Sequence, residues 1–368
     1  MFTFGIEHEV AFFNSAGHFV DWTTTTFAEL DQIIAQLPFY SGDNSSLYVG
    51  DAKIREKRWY LEGIERFSET GSLFRFDPKG IEIRTTIHTT IQGAVAELEQ
   101  SFSQLCAIAE GYGYTAVLTS FNPYRTQYSY NPPLNDYETE QRQEDPSYFM
   151  EHLAMLSYGP DLNLALAGLS AEAVIDIGRK LTAYSAYIIP FSFGSSFYEG
   201  KLWEGLSVRT FMRAGLRSAV RVYVEHAHQL FHSVPQFTTL ARLPSEIGRI
   251  EFKAFDSCGD FSHYAALLAL LKGVVLDESL LERATVPNAT LHQQVAKVGF
   301  SDKAIAEKAA QIIAAAETAL GSDADAVLLT PLKTLLARQQ VLAHDRIQQF
   351  HHTGSIAKVL REGYKKSL

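Results

Sequence analysis

Two carboxylates stand close together near the start of the chain. The segment MFTFGIEHEVAFF predicts a strand over Phe2 to Phe13, in which Glu7 and Glu9 are separated by one residue. Side chains at i and i+2 of a strand project to the same side, within about 7 Å of each other. Because like charges raise each other's pKa and burial penalises both, the pair predicts either a bound cation or a face open to water.

Three further segments repeat this alternation of polar and apolar residues. They are KGIEIRTTI with Glu82 and Arg84, YGPDLNLAL with Asp161 and Asn163, and GRIEFKAFDS with Glu251 and Lys253. The polar faces of four such strands can converge on one concave sheet surface. Five carboxylates there would need divalent cations, and oxygen-only ligands favour Mg²⁺ or Mn²⁺ over zinc. The alternative is a sheet whose polar face simply meets water.

The elements that would carry these residues alternate irregularly with helices. Predicted strands cover Phe4 to Phe13, Gly80 to Ile87, Thr115 to Thr119, Leu162 to Leu166 and Ile250 to Phe255, and predicted helices cover Ala94 to Glu110, Ala171 to Ile188 and Ala214 to Phe231. Widely spaced strands with helices between them predict the α+β class. No long linker divides the chain, so we expect one catalytic domain over residues 1–368.

The end of the chain has a helical composition. SDKAIAEKAAQIIAAAETALG predicts a helix with Asp302 in its first turn and Gly321 at its end, and a second helix is predicted from Thr330 to Phe350. We expect residues 301–368 to form a helical segment packed on the domain, with a frayed REGYKKSL terminus. Residues 120–149, rich in Tyr, Pro and Asn, are either a substrate-facing loop or a surface excursion.

Composition excludes several classes of protein. The 368 residues are 46% hydrophobic and 20% charged, as in ordinary globular proteins, and the formal net charge of -10 argues against a general nucleic-acid binder. Cys106 and Cys258 cannot form a disulfide framework, which suits a reducing compartment. The strand predicted almost at Met1 leaves no room for a secretory leader, and no apolar run is long enough to span a bilayer. We expect a cytoplasmic protein.

The ordered segments resemble a known family. FGIEHEV, GIEIRTT, YGPDLNLAL, IPFSFGSSFYEGKLWEGLSVRTF and RIEFKAFDSCGDFSHYAALLALL are similar to blocks of the glutamate-cysteine ligase and carboxylate-amine ligase families, over about Phe2 to Leu276. These families are similar in fold to glutamine synthetase and the guanidino kinases. The resemblance implies a strongly curved antiparallel sheet backed by helices, with ATP and Mg²⁺ (or Mn²⁺) bound in its concavity.

The resemblance also implies roles for individual residues. Metal binding is implied for Glu7, Glu9, Glu82, Asp161 and Glu251. Arg209 in GLSVRTF matches a phosphate-contacting arginine, and with Lys253 it is expected to act in catalysis. Nucleotide binding is expected from Arg209, Lys253 and Ser207, and substrate binding from Arg84 and Asn163.

Three positions depart from the family pattern. Asp161 stands where the family usually has a histidine, which keeps an oxygen ligand and adds negative charge; alternatively, Asp161 only caps the turn after Pro160. Lys253 stands where many members have an arginine, and an ammonium group cannot bind phosphate bidentately. Arg84 has no fixed counterpart, and it could compensate for Lys253 or bind a substrate carboxylate.

The resulting prediction is an ATP-dependent ligase that joins a carboxylate, expected to be the γ-carboxylate of glutamate, to an amine, expected to be that of cysteine. One alternative is a guanidino phosphotransferase, for which Cys258 is the candidate reactive cysteine. Another is a non-catalytic metal-binding relative. The expected partners are small amino acid substrates, with no nucleic acid and no membrane; a homodimer is left open. His226, His228 and His232 lack the accompanying glutamate of a zinc motif and are not predicted to bind metal.

Overall fold

The computed structural model describes residues 1–39, 58–144 and 150–365. Its strands are β1 (Phe2–Phe13), β2 (Trp59–Phe67), β3 (Leu73–Arg84), β4 (Thr115–Val117), β5 (Pro160–Leu166), β6 (Phe197–Tyr198), β7 (Lys201–Leu202), β8 (Val220–Val224), β9 (Thr238–Leu240) and β10 (Ile250–Phe252). Its α-helices are α1 (Phe27–Ile34), α2 (Ile91–Gly111), α3 (Asp136–Glu144), α4 (Glu151–Leu156), α5 (Ala171–Ile188), α6 (Val208–Arg213), α7 (Ser262–Leu276), α8 (Ala289–Val298), α9 (Lys303–Leu320), α10 (Thr330–Ala337), α11 (Leu342–Thr353) and α12 (Ile356–Arg361).

The centre of the fold is a strongly curled sheet in the order β2-β3-β1-β5-β10-β8-β9, with β4 paired to β1. Neighbouring strands are antiparallel except β8 and β9, which are parallel. The α+β prediction of a curved sheet backed by helices is therefore confirmed.

The register of the sheet brings the predicted polar positions side by side. Glu7 is opposite Arg84 on β3 and opposite Asp161 on β5, while Glu9 is opposite Glu82. Because side chains alternate between the two faces, the intervening residues of β1 point into the helical layer, where they are fully buried.

The helical layer is centred on α7, whose fifteen residues are almost all buried. Gly273 of α7 lies so close to α9 that an added Cβ would be 2.6 Å from the Cβ of Ala316, so only glycine permits this approach of the two helices. Lys272 of α7 pairs with Asp323 and Asp325 at 2.7 and 2.6 Å. None of the described helices is both long enough and apolar enough to cross a membrane.

The C-terminal segment follows the predicted helices with two differences. Helix α9 matches its prediction, with Asp302 as N-cap and Gly321 after its last residue. The helix predicted from Thr330 to Phe350 is interrupted between α10 and α11, where Gln339 has a φ of 51°.

The described part of the REGYKKSL terminus, up to Lys365, is packed on the domain and is not frayed. The Tyr364 hydroxyl lies 3.0 Å from Nε2 of His8, and the backbone N–H of Lys365 donates to the carbonyl of Gly259 at 3.1 Å. Residues 366–368 lie outside the described residues.

The helix predicted from Ala214 to Phe231 is wrong. Gly215 has a φ of 76°, which a helix cannot continue, and the alternating segment VRVYV forms β8. The periodicity of the segment predicts a helix, but the β-branched residues Val220, Val222 and Val224 favour a strand.

Residues 120–144 are more ordered than the predicted loop. Helix α3 lies within this segment, and its fully buried Glu138 accepts hydrogen bonds from Nε and Nη2 of Arg66 on β2, at 2.7 and 3.0 Å. None of these residues lines the cavity described below, and 145–149 lie outside the described residues.

Candidate active site

The concave face of the sheet encloses a cavity of about 390 Å³. Its lining is dominated by ionisable side chains, seven carboxylates and nine basic groups. The carboxylates are Glu7, Glu9, Glu62, Glu82, Asp161, Glu246 and Glu251, and the basic groups are Lys79, Arg84, Arg209, Arg213, Arg217, Arg221, Arg242, Arg249 and Lys253. All the residues for which we predicted a role line this cavity, except Asn163 and Ser207.

Six of the carboxylates form two groups of three. Glu7, Asp161 and Glu251, the Asp161 triad, come from β1, β5 and β10. Glu9, Glu62 and Glu82, the Glu62 triad, come from β1, β2 and β3. The five predicted ligands are thus divided between two groups by the two-residue spacing on β1, and Glu62, which we did not predict, completes the second group.

Both triads fit a hard divalent cation. In each, one oxygen from every carboxylate lies within 4.8 Å of the others. Mg²⁺ holds its oxygen ligands at about 2.1 Å, so opposite ligands are about 4.2 Å apart, and small side-chain adjustments would bring three carboxylates into such a shell. An all-oxygen donor set favours Mg²⁺ or Mn²⁺ over thiophilic metals.

The Glu62 triad is incompletely neutralised by the protein. Lys79 Nζ lies 2.8 Å from Glu9 and 3.8 Å from Glu62, and it also donates to two backbone carbonyls. Arg84 pairs with Glu82. Burial raises the pKa of Glu82 well above its usual value; Arg84 opposes the shift and neighbouring carboxylates add to it. A further cation would therefore be favourable here.

The Asp161 triad already contains two internal cations. Lys253 pairs with Asp161 and Glu251, and Nη1 of Arg249 lies 3.1 Å from Glu7 and 3.4 Å from Glu251. The carboxylate of Asp161 makes no hydrogen bond to a described backbone group, so the geometry does not support the turn-capping alternative.

The electrostatic consequence differs between two members of this triad. Burial opposes ionisation of Glu251, but Lys253, Arg249 and Arg221 together outweigh it and hold its pKa well below the usual value. For Asp161 burial dominates, and its pKa is raised despite the charge of Lys253. A metal ion at this triad would compete with the ammonium of Lys253.

Arg209 is placed in the cavity wall by hydrogen bonds to the backbone. Its Nη1 and Nη2 donate to the carbonyls of Phe255 and Lys253 at 2.7 and 2.9 Å, and the side chain is buried. Gly159 packs against the guanidinium so closely that an added Cβ would lie 2.2 Å from Nη2. Arg209 therefore has a structural task besides any contact with a ligand.

Arg213, Arg217 and Arg221 complete a row of arginines that sequence reasoning missed. Burial lowers the pKa of Arg213 and of Arg217, and the neighbouring arginines lower both further. Among the described residues, none accepts a hydrogen bond from the Arg217 side chain. Cations that repel one another in this way form a site for an anion with several charges, such as a triphosphate. The four-residue spacing in VRTFMRAGLRSAVR was the signal available in the sequence.

Two predicted site residues lie elsewhere. Ser207 is fully buried behind the cavity wall, where its hydroxyl caps α6 by accepting from the backbone N–H of Thr210 and donates to Asp256 at 3.1 Å. This placement does not support nucleotide contact by Ser207. Asn163 lines a smaller adjoining pocket, accepts from Arg249 at 3.1 Å and donates to Glu7 at 3.4 Å.

Cys258 and two of the histidines, His226 and His228, lie outside the cavity. Cys258 is fully buried, burial raises the pKa of its thiol, and it does not line the cavity. It is thus no candidate for a reactive cysteine. His226 and His228 are exposed and belong to no metal-binding cluster of the described residues.

Comparisons with known proteins support the fold. Neither a scan against protein-family models nor a search of curated proteins found a match. Among solved structures, a glutamate-cysteine ligase from Francisella tularensis in complex with AMP superposes with a TM-score of 0.57 at 11% identity, covering 98% of this chain and 87% of that one.

Two other solved structures share the fold. A bifunctional glutathione synthetase from Pasteurella multocida has a TM-score of 0.60 at 11% identity, and this chain spans about half of it, with coverages of 98% and 51%. PafA, the ligase of the prokaryotic ubiquitin-like protein Pup, solved in complex with Pup, has a TM-score of 0.57 at 10% identity, with coverages of 99% and 72%. The chain has the fold of these ligases.

Proposed function

We propose that this chain is an ATP-dependent carboxylate-amine ligase. The observation that carries the proposal is the presence, in one cavity, of two carboxylate triads beside a row of arginines. Phosphoryl transfer from a nucleoside triphosphate requires divalent cations and guanidinium groups around the same phosphates, because charge accumulates on the oxygens of the transferred group. The fold shared with three ligases supports the same reaction class.

The cavity suggests a division of tasks among its residues. Mg²⁺ or Mn²⁺, held by the Asp161 triad and the Glu62 triad, would supply neutralisation of phosphate charge when bound. Arg213, Arg217 and Arg221 would bind phosphate oxygens, and Arg209 would hold the wall against which they act. Lys253 would turn to the phosphates once its carboxylate partners have another counter-ion.

The finer proposal concerns the two substrates. A substrate carboxylate, in our proposal the γ-carboxylate of glutamate, attacks the γ-phosphorus of ATP and displaces ADP, which gives an acyl phosphate. An amine, in our proposal that of cysteine, then attacks the acyl carbon and displaces inorganic phosphate, which leaves an amide. Arg84 and Asn163 would orient a substrate beside the triads. Four of our expectations stay predictions. They are small amino acid partners, the absence of nucleic-acid and membrane partners, the homodimer and a cytoplasmic location.

The two alternatives are unequally supported. A guanidino phosphotransferase loses its candidate reactive cysteine, because Cys258 is buried away from the cavity. A non-catalytic relative is favoured by one observation, the ammonium of Lys253 between Asp161 and Glu251, where it can replace a metal ion.

An ADP-release screen over pairs of amino acids with Mg²⁺ tests the proposal. We expect ADP release that depends on a carboxylate substrate, with a hydroxamate formed when hydroxylamine replaces the amine. Arg217→Met should abolish most of the release, whereas Glu69→Gln, an exposed carboxylate on the β2–β3 turn, should leave it unchanged. A phosphorylated guanidinium product would favour the phosphotransferase, and nucleotide binding without turnover by any pair would favour the non-catalytic relative.

A further inference from the structure

A second pocket, of about 60 Å³, adjoins the cavity at the end of the Asp161 triad. Its floor is β1 from Thr3 to Glu7, and its walls are the chain after β3, residues 84–87, and β5 at residues 163–165. Arg84, Arg249, Glu7 and Glu246 line both spaces, so the pocket opens between these side chains into the cavity. We call it the Gly5 pocket.

The mouth of the Gly5 pocket has donors suited to a carboxylate. Arg84 is stacked on Tyr60, with 3.8 Å between its Cζ and the ring centroid, and among the described residues its Nη1 and Nη2 have no acceptor. Arg249 is stacked on Tyr223 at the same distance, but its Nη1 already donates to Glu7 and its Nη2 to Glu246, at 3.1 and 3.3 Å, so it completes the wall of the mouth and is not a free fork. Stacking fixes the plane of the Arg84 guanidinium, and its Nη1 and Nη2 form a planar fork of the kind that binds a carboxylate bidentately.

Gly5 leaves open space on the floor of the pocket, between Thr85 and Asn163. Its φ is not positive, so its backbone does not require glycine. An added Cβ would have its nearest contacts at 3.7 Å from Thr85 and 3.8 Å from Asn163, which are ordinary van der Waals distances. Gly80 on β3 is different, since a Cβ there would lie 2.4 Å from the carbonyl oxygen of Val10. Packing therefore requires Gly80 but not Gly5, and the absence of a side chain at Gly5 enlarges the pocket.

The volume of the pocket limits what it can receive. A cavity of about 150 Å³ holds a benzene molecule, with six carbon atoms, so the Gly5 pocket holds about two or three heavy atoms. Beyond its mouth the lining includes Ile87, Leu164 and Ala165, with few charges. A short, uncharged side chain fits this space, and a leucine or phenylalanine side chain does not.

We propose that the Gly5 pocket selects an amino acid substrate by the size of its side chain. The carboxylate of this substrate binds Nη1 and Nη2 of Arg84, and a side chain of up to about three heavy atoms lies over Gly5. The inference rests on the proposed function for the reaction that the amino acid enters, but the size selection is a property of binding. It is therefore measured separately from turnover.

Isothermal titration calorimetry tests the selection, with Mg²⁺ and a non-hydrolysable ATP analogue present. The probes are glycine, L-alanine, L-serine, L-cysteine, L-2-aminobutyrate, L-leucine and L-phenylalanine. We expect alanine, serine, cysteine and 2-aminobutyrate to bind more tightly than glycine, and leucine and phenylalanine to bind most weakly. Equal binding of alanine and leucine would overturn the proposal, as would the absence of binding by every probe.

Two variants shift the size limit in steps. Gly5→Ala should keep alanine binding and weaken binding of 2-aminobutyrate, and Gly5→Val should weaken binding of all but glycine, by about 10- to 200-fold, the range for one methylene too many in a pocket. Ala165→Val fills the same space from the opposite wall and should act alike. Gly111→Val, at the end of α2 where nothing lies within 4 Å of an added Cβ, is the control and should bind like the unaltered protein.

Parallel ADP-release measurements separate the two proposals. Size-dependent binding without turnover would contradict the proposed function and leave the size selection supported. Turnover with an unchanged side-chain preference in both Gly5→Val and Ala165→Val would overturn the size selection and leave the ligase proposal supported.

Discussion

Glu62 is the one carboxylate of the two triads that we did not predict. It is 18% exposed in its side chain and shares Lys79 with Glu9. Lys79 also donates to two backbone carbonyls, so its ammonium group is fixed in place and cannot move with one carboxylate. The triad therefore depends on the negative charge that Glu62 itself contributes.

We expect Glu62→Gln to weaken Mg²⁺ binding by at least about tenfold, because even residues outside the ligand shell of a metal change affinity by 10- to 100-fold when mutated. Titration of Mg²⁺ followed by calorimetry measures this change. Glu69→Gln removes a carboxylate from the same hairpin at an exposed position and serves as the control. An unchanged Mg²⁺ affinity in Glu62→Gln would remove Glu62 from the metal site.

At this scale the sequence predicts ligands only where the alternation is regular. The spacing of Glu7 and Glu9 identifies them as candidate ligands. Glu82 and Glu251 are identified by the regular alternation of polar and apolar residues around them. Glu62 is not, since a register shift between Glu62 and Gly63 interrupts the pairing of β2 with β3. Which strand lies beside β3 is decided by tertiary packing, and a local pattern does not contain that information.

At the scale of elements, the arginine row depends on a helix and a strand that meet at a glycine. Arg209 and Arg213 belong to α6, and Arg221 belongs to β8, with Gly215 and Arg217 in the turn between them. The two ends of the row differ in their hydrogen bonds. Arg209 is tied to the backbone after β10, whereas Arg217 has no described acceptor.

This difference predicts two separable effects. Arg209→Lys should leave a buried carbonyl unpaired and lower the free energy of unfolding by about 1–3 kcal/mol. Arg217→Met removes a cation that its neighbours repel, so it should leave stability unchanged or higher while nucleotide affinity falls by about tenfold or more. Urea unfolding and nucleotide titration of both variants measure the two quantities. Loss of stability in Arg217→Met would contradict the assignment.

Helix α9, whose signals are local, was predicted correctly, whereas strand β8, which is set by long-range pairing, was not. Helix α9 has its capping residue and terminal glycine in the sequence itself. Strand β8, by contrast, has only five residues, and its neighbours in the sheet, β9 and β10, lie further along the chain. Helical periodicity outweighed the β-branched residues of β8 in our prediction, although the latter were the better guide.

At the scale of the molecule, the first strand is tied to the last described residues. His8, between Glu7 and Glu9 of β1, is fully buried, with Nδ1 3.0 Å from the hydroxyl of Tyr264 and Nε2 3.0 Å from that of Tyr364. Burial lowers the pKa of His8 to about 3, so the ring is neutral at ordinary pH. The single domain over residues 1–368 stays a prediction.

We therefore expect the whole chain to unfold in one cooperative transition. Tyr364→Phe should lower the free energy of unfolding by about 1–3 kcal/mol, because it leaves a buried nitrogen of His8 without a partner. Tyr112→Phe, at a position that is 42% exposed, is the matched control. Urea unfolding followed by fluorescence and by circular dichroism measures the effect, and two separated transitions would contradict the single domain.

The excess of basic groups in the cavity has a consequence for how a nucleotide arrives. The protein as a whole carries a formal charge of -10, so at long range it repels a polyanion, whereas the cavity lining has more basic groups than carboxylates and attracts it at short range. Salt screens the long-range repulsion more than the short-range attraction, because the repulsion acts beyond the Debye length, which is about 8 Å at physiological ionic strength. Moderate salt should thus raise the association rate constant of ATP and also raise its dissociation rate constant. The two changes have opposite effects on the measured affinity.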